Sequence, residues 1–205
     1  MKTSCMIISG GAFTPLPQPD ETTFVIACDR GYAYARRCGI RPDLLVSDFD
    51  SYDGPVDPEI PLQRFPSEKD DTDTMIAIRA ALERGFREAV LYCALGGRLD
   101  HTLANLQSLA FALSHGLRLR IVSEDTEVML LQDGTLSLPR REGFALSVFA
   151  FSERCRGVSL HGTKYTLTDA ELENSFPLGV SNEWAAEAAT VSVTAGTLLI
   201  VLSKL

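Results

Sequence analysis

Short apolar runs alternate with stretches of helical periodicity up to about residue 125, and this alternation restricts the fold more than any other feature of the chain. Leu44, Leu45 and Val46 form an unbroken apolar run of the kind that is buried in a parallel sheet. Strands are predicted at residues 5–8, 23–27, 44–46, 89–95 and 117–122. Strands that alternate with helices predict an α/β domain, Rossmann-like, with three layers and a mostly parallel sheet.

The segments between these strands carry the signals of helices and loops. Helices are predicted at residues 32–38, from the acidic stretch 70–73 to residue 82, and from the Gly96-Gly97 turn to about residue 114. For the second helix, Asp70 or Asp71 is a candidate N-cap and Gly85 a candidate C-cap. Three prolines between residues 55 and 61 predict a loop, since each removes a backbone donor.

The pattern changes beyond about Glu127, where short alternating runs are separated by turn residues such as Asp133-Gly134 and Ala195-Gly196. Strands are predicted at residues 128–131, 135–138, 145–151, 158–160, 190–193 and 198–202. The alternation predicts a small antiparallel β domain. We place the domain boundary near residues 125 to 133, giving predicted domains 1–127 and 128–205.

Charge and composition exclude several classes of protein. The 205 residues carry a formal net charge of -8, with a pI near 4.9, which argues against general binding to nucleic acid or an anionic membrane. No apolar run approaches the roughly 18 residues of a membrane span, and the N-terminus lacks the apolar region of a signal peptide. Five widely spaced cysteines without a Cys-x-x-Cys pair are interpreted as reduced. We expect a cytoplasmic protein.

Asp48 and Asp50 follow the predicted strand at residues 44–46 directly. In an extended backbone the two carboxylates point to the same side. They would lie at the carboxyl end of a strand, where open α/β sheets bind ligands, and carboxylate oxygens suit a hard divalent cation. A polar turn after a strand is the simpler interpretation of an isolated Asp-x-Asp.

Three aspartates crowd the start of the second predicted helix, at Asp70, Asp71 and Asp73. Carboxylates are favoured in a first helical turn because they cap free amides and complement the helix dipole. Three in four residues exceed what capping requires, and they would repel one another unless a cation neutralised them. Mg²⁺ takes one or two carboxylates together with substrate phosphates, so the cluster favours a metal and polyphosphate site.

Gly96-Gly97-Arg98 stands between a predicted strand and a predicted helix. A glycine pair lets a bulky anion approach the backbone, the helix start presents unpaired N–H groups, and Arg98 offers a guanidinium to phosphate oxygens. Neither the P-loop nor the dinucleotide fingerprint is present. A plain turn is the simpler interpretation of Gly-Gly alone, and Asp100 with His101 could be an N-cap and its surface neighbour.

Taken together, the motifs resemble those of the thiamine pyrophosphokinase family, and the match covers nearly the whole chain. They are the segments 42–51 (PDLLVSDFDS), 69–73 (KDDTD), 96–105 (GGRLDHTLAN), 162–165 (GTKY) and 179–183 (GVSNE). The resemblance implies an α/β ATP-binding catalytic domain and an antiparallel β-sandwich that binds thiamine and forms a homodimer. It also implies transfer of the pyrophosphoryl group of ATP to the thiamine hydroxyl, with Mg²⁺ required.

The resemblance further assigns roles by matching position. Asp48, Asp50 and Asp73 would hold Mg²⁺ and the phosphates, and Asp73 is the candidate acceptor of the hydroxyl proton. ATP would be positioned by Arg98, Asp100 and Asn105, together with Asp29, Lys69, Asp70 and His101. The thiamine pocket would contain Tyr165, Ser181 and Asn182. An aromatic ring suits a flat heteroaromatic cation, although a half-buried strand tyrosine and a β-turn are the simpler interpretations of these last residues.

The chain departs from the family pattern at three places. Ser47 stands where glycine is usual, Cys28-Asp29-Arg30-Gly31 replaces Asp-Gly-Gly, and Thr163 replaces a common leucine. Two other functions use the same residues: a metal-dependent phosphohydrolase that releases phosphate without thiamine, and a non-catalytic sensor of thiamine or nucleotide.

Overall fold

The fold was analysed in a computed structural model, which describes residues 2–47, 52, 54–64 and 71–205. The chain divides into two compact units, Met1–Glu124 and Asp125–Leu205. Within the described residues, no helix is both long enough and apolar enough to cross a membrane.

The first unit contains a parallel sheet. Its strands are β1 (Ser4–Ile8), β2 (Thr23–Cys28), β3 (Leu44–Ser47), β4 (Leu62–Arg64), β5 (Glu88–Tyr92) and β6 (Arg118–Val122). All their pairings are parallel, in the spatial order β6-β5-β1-β2-β3-β4. The five predicted strands are present. The short edge strand β4 was missed, because the prolines before it predict a loop.

Three helices are present in the described part of this unit: α1 (Arg30–Arg37), α2 (Asp73–Glu83) and α3 (Leu99–Ser114). The predicted N-cap of α2 was wrong, since Thr72 is in the extended conformation and its hydroxyl accepts from the Met75 amide at 3.2 Å. Asp71 instead accepts a hydrogen bond from Arg79 at 3.0 Å. Gly85 follows the C-cap residue Arg84 with a positive φ, as expected for a helix end.

In the first unit, side chains of the central strands pack against the helices to form the core. Met6 pairs with Val25, and both pack with Ala35 of α1. Phe24, which points to the opposite face because strand side chains alternate, packs its ring against Phe86 just after α2, with centroids 5.7 Å apart. The unbroken apolar runs of the sequence are therefore buried strands.

The cysteines are free thiols, as the sequence predicted. Cys5, Cys28, Cys93 and Cys155 are buried. Burial raises the pKa of the Cys5 thiol to about 12, so this side chain stays protonated and serves as a small apolar core residue.

The second unit is antiparallel. Its strands are β7 (Thr126–Pro139), β8 (Phe144–Ala150), β9 (Arg154–His161), β10 (Leu167–Glu173), β11 (Gly179–Asn182) and β12 (Ala188–Lys204). Strand β12 pairs with β7, β8 and β9, while β10 pairs with β9 and β11 with β8. Side chains such as Leu146, Val191 and Leu198 form one buried core. Strands β10 and β11 were not predicted, because most of their residues are at least partly exposed and lack a clear apolar pattern.

The predicted turns at Asp133-Gly134 and Ala195-Gly196 were wrong. Both dipeptides lie inside the long strands β7 and β12, which pair along almost their whole length. The register shifts between Val193 and Thr197, and the Gly196 amide donates to the Asp133 carboxylate at 2.8 Å. The turn residues therefore form a β-bulge, which bends the strand without reversing it.

Candidate active site

A cleft of about 640 Å³ opens in the first unit at the carboxyl ends of β1, β2 and β5. Its walls come from the residues after these strands and from the starts of the three helices. They are Ser9 to Ala12, Cys28 to Arg30, Tyr34, Asp71 to Thr74, Ala94, Gly96 to Arg98, His101, Ala104 and Asn105. Polar and acidic side chains that are distant in sequence thus face one space.

The sheet topology explains the position of the cleft. From β1 the chain continues to β2, β3 and β4 on one side, and β5 and β6 are then added on the other side of β1. Loops that leave neighbouring strands in opposite directions leave a crevice between them, and open α/β sheets bind ligands there. The same edge exposes the helix starts, whose free N–H groups attract anions.

The Gly96-Gly97 turn needs its glycines. Strand β5 ends at Tyr92, earlier than predicted, because Cys93 has a positive φ of 54°. Gly96 and Gly97 follow with φ values of 75° and 72°, a conformation that residues with a Cβ rarely adopt. A Cβ on Gly96 would also lie 2.9 Å from that of Ala12. The pair therefore brings the backbone to the cleft wall immediately before Arg98.

Arg98 and His101 line the cleft, whereas Asp100 is not among its lining residues. Asp100 accepts from Arg98 Nε at 3.1 Å and from the His101 amide at 2.9 Å. The hydrogen bond from Arg98 lowers the pKa of the Asp100 carboxyl, so this group is ionised at neutral pH. Asp100 thus orients the Arg98 guanidinium at the N-terminus of α3.

Asp73 lines the cleft as the first residue of α2. The positive end of the helix dipole stabilises a carboxylate there. Asp71, which belongs to the acidic cluster of the sequence and was a candidate cap, also lines the cleft and forms an ion pair with Arg79.

Asp29 is a cleft residue that is almost completely buried, with 3% of its surface exposed. It precedes α1 with φ 42° and ψ -111°, and its carboxylate accepts from the Ser47 hydroxyl at 2.8 Å. The last residue of β3 is thereby tied to the cleft. Two of the three departures from the family pattern, at Asp29 and Ser47, are in direct contact.

Asn105 lines the cleft but is mostly buried. Its side-chain amide donates to the Ala94 carbonyl at 2.7 Å. This bond fixes α3 to the segment that leads into the glycine pair, so Asn105 supports the shape of the cleft wall.

Four of the predicted residues lie outside the described residues: Asp48, Asp50, Lys69 and Asp70. Of the three carboxylates assigned to a metal, the structure therefore describes only Asp73. Among the described residues, no three histidine, cysteine or acidic side chains form a group that could hold a metal ion.

Tyr165, Ser181 and Asn182 belong to the second unit, and Asn182 is hydrogen-bonded to Tyr165. The Asn182 side chain accepts from the Tyr165 amide at 3.0 Å and donates to its carbonyl at 2.6 Å. Ser181 has a positive φ of 57°, and its amide donates to the Ser147 hydroxyl at 3.0 Å. Asn182 is buried, whereas Tyr165 is 63% exposed, so the amide presents the tyrosine ring at the surface.

The sequence analysis did not identify several of the cleft residues. Ser9, Gly10 and Gly11 follow β1 much as the second glycine pair follows β5, and that parallel was the available signal. Tyr34 lines the cleft from α1 and donates its hydroxyl to the Gly11 carbonyl at 2.9 Å. No sequence pattern marked this tyrosine.

The fold and the cleft define a class of protein: open α/β proteins with a cleft at the carboxyl edge of a parallel sheet, where helix starts can attract anions. Residues 19–121 match the thiamin pyrophosphokinase catalytic domain, and residues 134–198 match the thiamin pyrophosphokinase vitamin B1 binding domain. The chain belongs to the thiamin pyrophosphokinase family. It is an enzyme that makes thiamine diphosphate.

Individual relatives are similar to this chain over nearly its whole length. A thiamine pyrophosphokinase from Bacillus subtilis (strain 168) is 28% identical over 207 residues, which cover 96% of this chain and 97% of the relative. The crystal structure of thiamine pyrophosphokinase from Bacillus subtilis has a TM-score of 0.89 at 26% identity and covers 98% of this chain and 99% of that chain. The thiamin pyrophosphokinase structure from Geobacillus thermodenitrificans has a TM-score of 0.86 at 28% identity and covers 98% of each chain.

Proposed function

We propose that the cleft binds ATP and transfers its pyrophosphoryl group to the hydroxyl oxygen of thiamine. The oxygen attacks the β-phosphorus, the bond from that phosphorus to the α,β-bridging oxygen breaks, and AMP leaves with the bridging oxygen. The observation that carries this proposal is the meeting of Asp73, Arg98 and three helix starts in one cleft. Pyrophosphoryl transfer requires positioning and neutralisation of charge more than covalent chemistry, and these groups supply both.

We assign the roles by charge and position. Arg98 and His101 contact the phosphates, and Lys69 and Asp70, just before α2, contribute to the ATP site. Asp29 and Asn105 shape the ATP site, and Asp100 orients the Arg98 guanidinium. Asp73 accepts the proton of the thiamine hydroxyl as the new bond forms.

We propose that Asp48, Asp50 and Asp73 would hold Mg²⁺. Asp73 lines the cleft, and the strand that leads to Asp48 ends at Ser47, which is bonded to the cleft residue Asp29. Carboxylate oxygens are the ligands that Mg²⁺ prefers alongside phosphates. When bound, the ion would neutralise negative charge on the polyphosphate, which an acidic chain of net charge -8 otherwise repels.

The same proposal extends to the architecture and partners. Residues 1–127 would form the three-layer αβα catalytic domain, and residues 128–205 the β-sandwich that binds thiamine and forms the homodimer. The enzyme would act in the cytoplasm on small molecules, without a nucleic-acid or membrane partner. One segment matches a catalytic domain and the other a vitamin B1 binding domain, and these separate matches support the two roles.

The test is product analysis after incubation with ATP, Mg²⁺ and thiamine. We expect AMP to accumulate in step with thiamine diphosphate, and neither to form when thiamine is omitted. Release of ADP or inorganic phosphate as the main product, with or without thiamine, would instead identify a phosphohydrolase. Binding of both ligands without turnover would identify a sensor.

Replacing Tyr165 with alanine is expected to raise the KM for thiamine about 2- to 30-fold, since a cation–π contact contributes about 0.5 to 2 kcal/mol. The Tyr165 ring can face a cation, because Lys164 Nζ lies over it at 5.6 Å from the ring centroid. Steady-state kinetics in both substrates measure the effect, and the KM for ATP should stay within twofold. Phe176→Ala removes another exposed aromatic of the same unit and serves as the control. An unchanged thiamine KM in Tyr165→Ala would remove Tyr165 from the pocket.

A further inference from the structure

Ser9 and Thr74 are joined by a buried hydrogen bond between their hydroxyl oxygens, 2.7 Å apart. Ser9 is the first residue after β1, and Thr74 is the second residue of α2. Their exposed fractions are 6% and 5%, and both residues line the cleft. The bond therefore links the end of a central strand to the helix start that carries Asp73.

Two further hydrogen bonds at this helix start are made by Thr72. Thr72 accepts from the Met75 amide through its hydroxyl and from the Ile76 amide through its carbonyl, at 3.2 and 3.0 Å. Both bonds lie within the helix, and they define where α2 begins. The bond to Ser9 ties the helix start to the sheet, since the Ser9 amide donates to the Tyr92 carbonyl of β5 at 2.9 Å.

We propose that Ser9 and Thr74 are positioning residues that hold Asp73 in the geometry required for transfer. The proposal rests on the role assigned to Asp73 above. Asp73 lies between the two threonines, so the hydroxyl pair fixes the backbone on its C-terminal side while Thr72 fixes it on the other. A small displacement of a reacting group lowers the rate of the chemical step while leaving substrate binding largely intact.

Two simpler roles predict different kinetics. If the hydroxyl pair only satisfied two buried polar groups, its removal would lower the unfolding temperature without changing kcat. If Ser9 contacted ATP directly, its removal would raise the KM for ATP. A positioning role predicts a lower kcat with both KM values unchanged.

The experiment compares Ser9→Ala, Thr74→Val and the double variant with the parent enzyme. We expect each single change to lower kcat about 10-fold with both KM values within twofold of the parent, and the double change to lower it no further, because both remove the same bond. Thr74→Ser keeps the hydroxyl and should recover most of the kcat lost in Thr74→Val. Ser108→Ala is the matched control, since it removes a buried serine hydroxyl that bonds within α3, and Ser108 does not line the cleft.

Three results would overturn the proposal: kcat unchanged in Ser9→Ala, a rise in the KM for ATP, or independent losses that multiply in the double variant. Should Thr74→Val fail to fold, Ser9→Ala and Thr74→Ser still decide the outcome. Asp73→Asn separates this proposal from the assigned function. Full activity in Asp73→Asn would refute the role of Asp73 itself, whereas an inactive Asp73→Asn beside a fully active Ser9→Ala would refute only the positioning role.

Discussion

Asp73→Asn is expected to lower turnover by at least about 10³-fold, because it removes both a metal-binding carboxylate and the proposed proton acceptor. The change keeps the size of the side chain and a polar group at the start of α2. Loss of the interaction between the carboxylate and the helix dipole should reduce stability by only about 0.3 to 1 kcal/mol. Turnover and thermal unfolding, measured on the same preparation, would separate the two effects.

Glu83→Gln is the matched control for Asp73, since it neutralises an exposed carboxylate at the other end of the same helix. It should leave kcat and both KM values unchanged. Near-normal turnover in Asp73→Asn, or an equal loss in Glu83→Gln, would contradict the assignment of Asp73 to the chemistry.

Gly31→Ala is expected to destabilise the first unit by about 2 to 4 kcal/mol, the largest effect on folding that we predict. A Cβ on Gly31 would lie 2.1 Å from the Ile8 carbonyl oxygen and 2.9 Å from that of Ser9. Both atoms belong to the backbone at the end of β1, so α1 would have to move away from the sheet. Chemical unfolding measures the loss, and the KM for ATP should rise because the moved segment includes the cleft residue Asp29.

Gly39→Ala provides the comparison for Gly31. Gly39 follows the same helix with φ 70°, and a Cβ there would meet nothing within 4 Å. Its substitution should cost about 1 kcal/mol of backbone strain and leave the cleft unchanged. Equal losses of stability in the two variants would show that the close approach of α1 to β1 does not determine the packing.

The sequence predicted that Asp48, Asp50, Asp73 and Arg98 meet, because parallel strands direct all their carboxyl ends to one edge of a sheet. Asp48 and Asp50 lie outside the described residues. Asp73 and Arg98 line one cleft, as that geometry predicts, and Asp29, His101 and Asn105, which the family resemblance assigned to ATP, line it too. The bond between Ser9 and Thr74 had no such signal. The two residues are 65 positions apart, and a serine and a threonine fit many other interpretations.

The β-bulge at Asp133 shows a second limit of sequence analysis. Asp-Gly is typical of a hairpin turn, yet the same dipeptide fits a bulge when the partner strand continues past it. Only the pairing of β7 with β12 decides between the two structures. Similarly, Asn182 was assigned to a thiamine pocket, and its bonds to the Tyr165 backbone became visible only in the folded unit.

The most direct test of the account is a crystal structure of the enzyme with Mg²⁺ and α,β-methylene-ATP, in which the bond to be broken is replaced by a stable carbon bridge. The account predicts the triphosphate in the cleft between the start of α2 and the Gly96-Gly97 turn, with Arg98 and Asp73 on opposite sides of it. A triphosphate bound elsewhere, with the cleft occupied by solvent, would contradict the account.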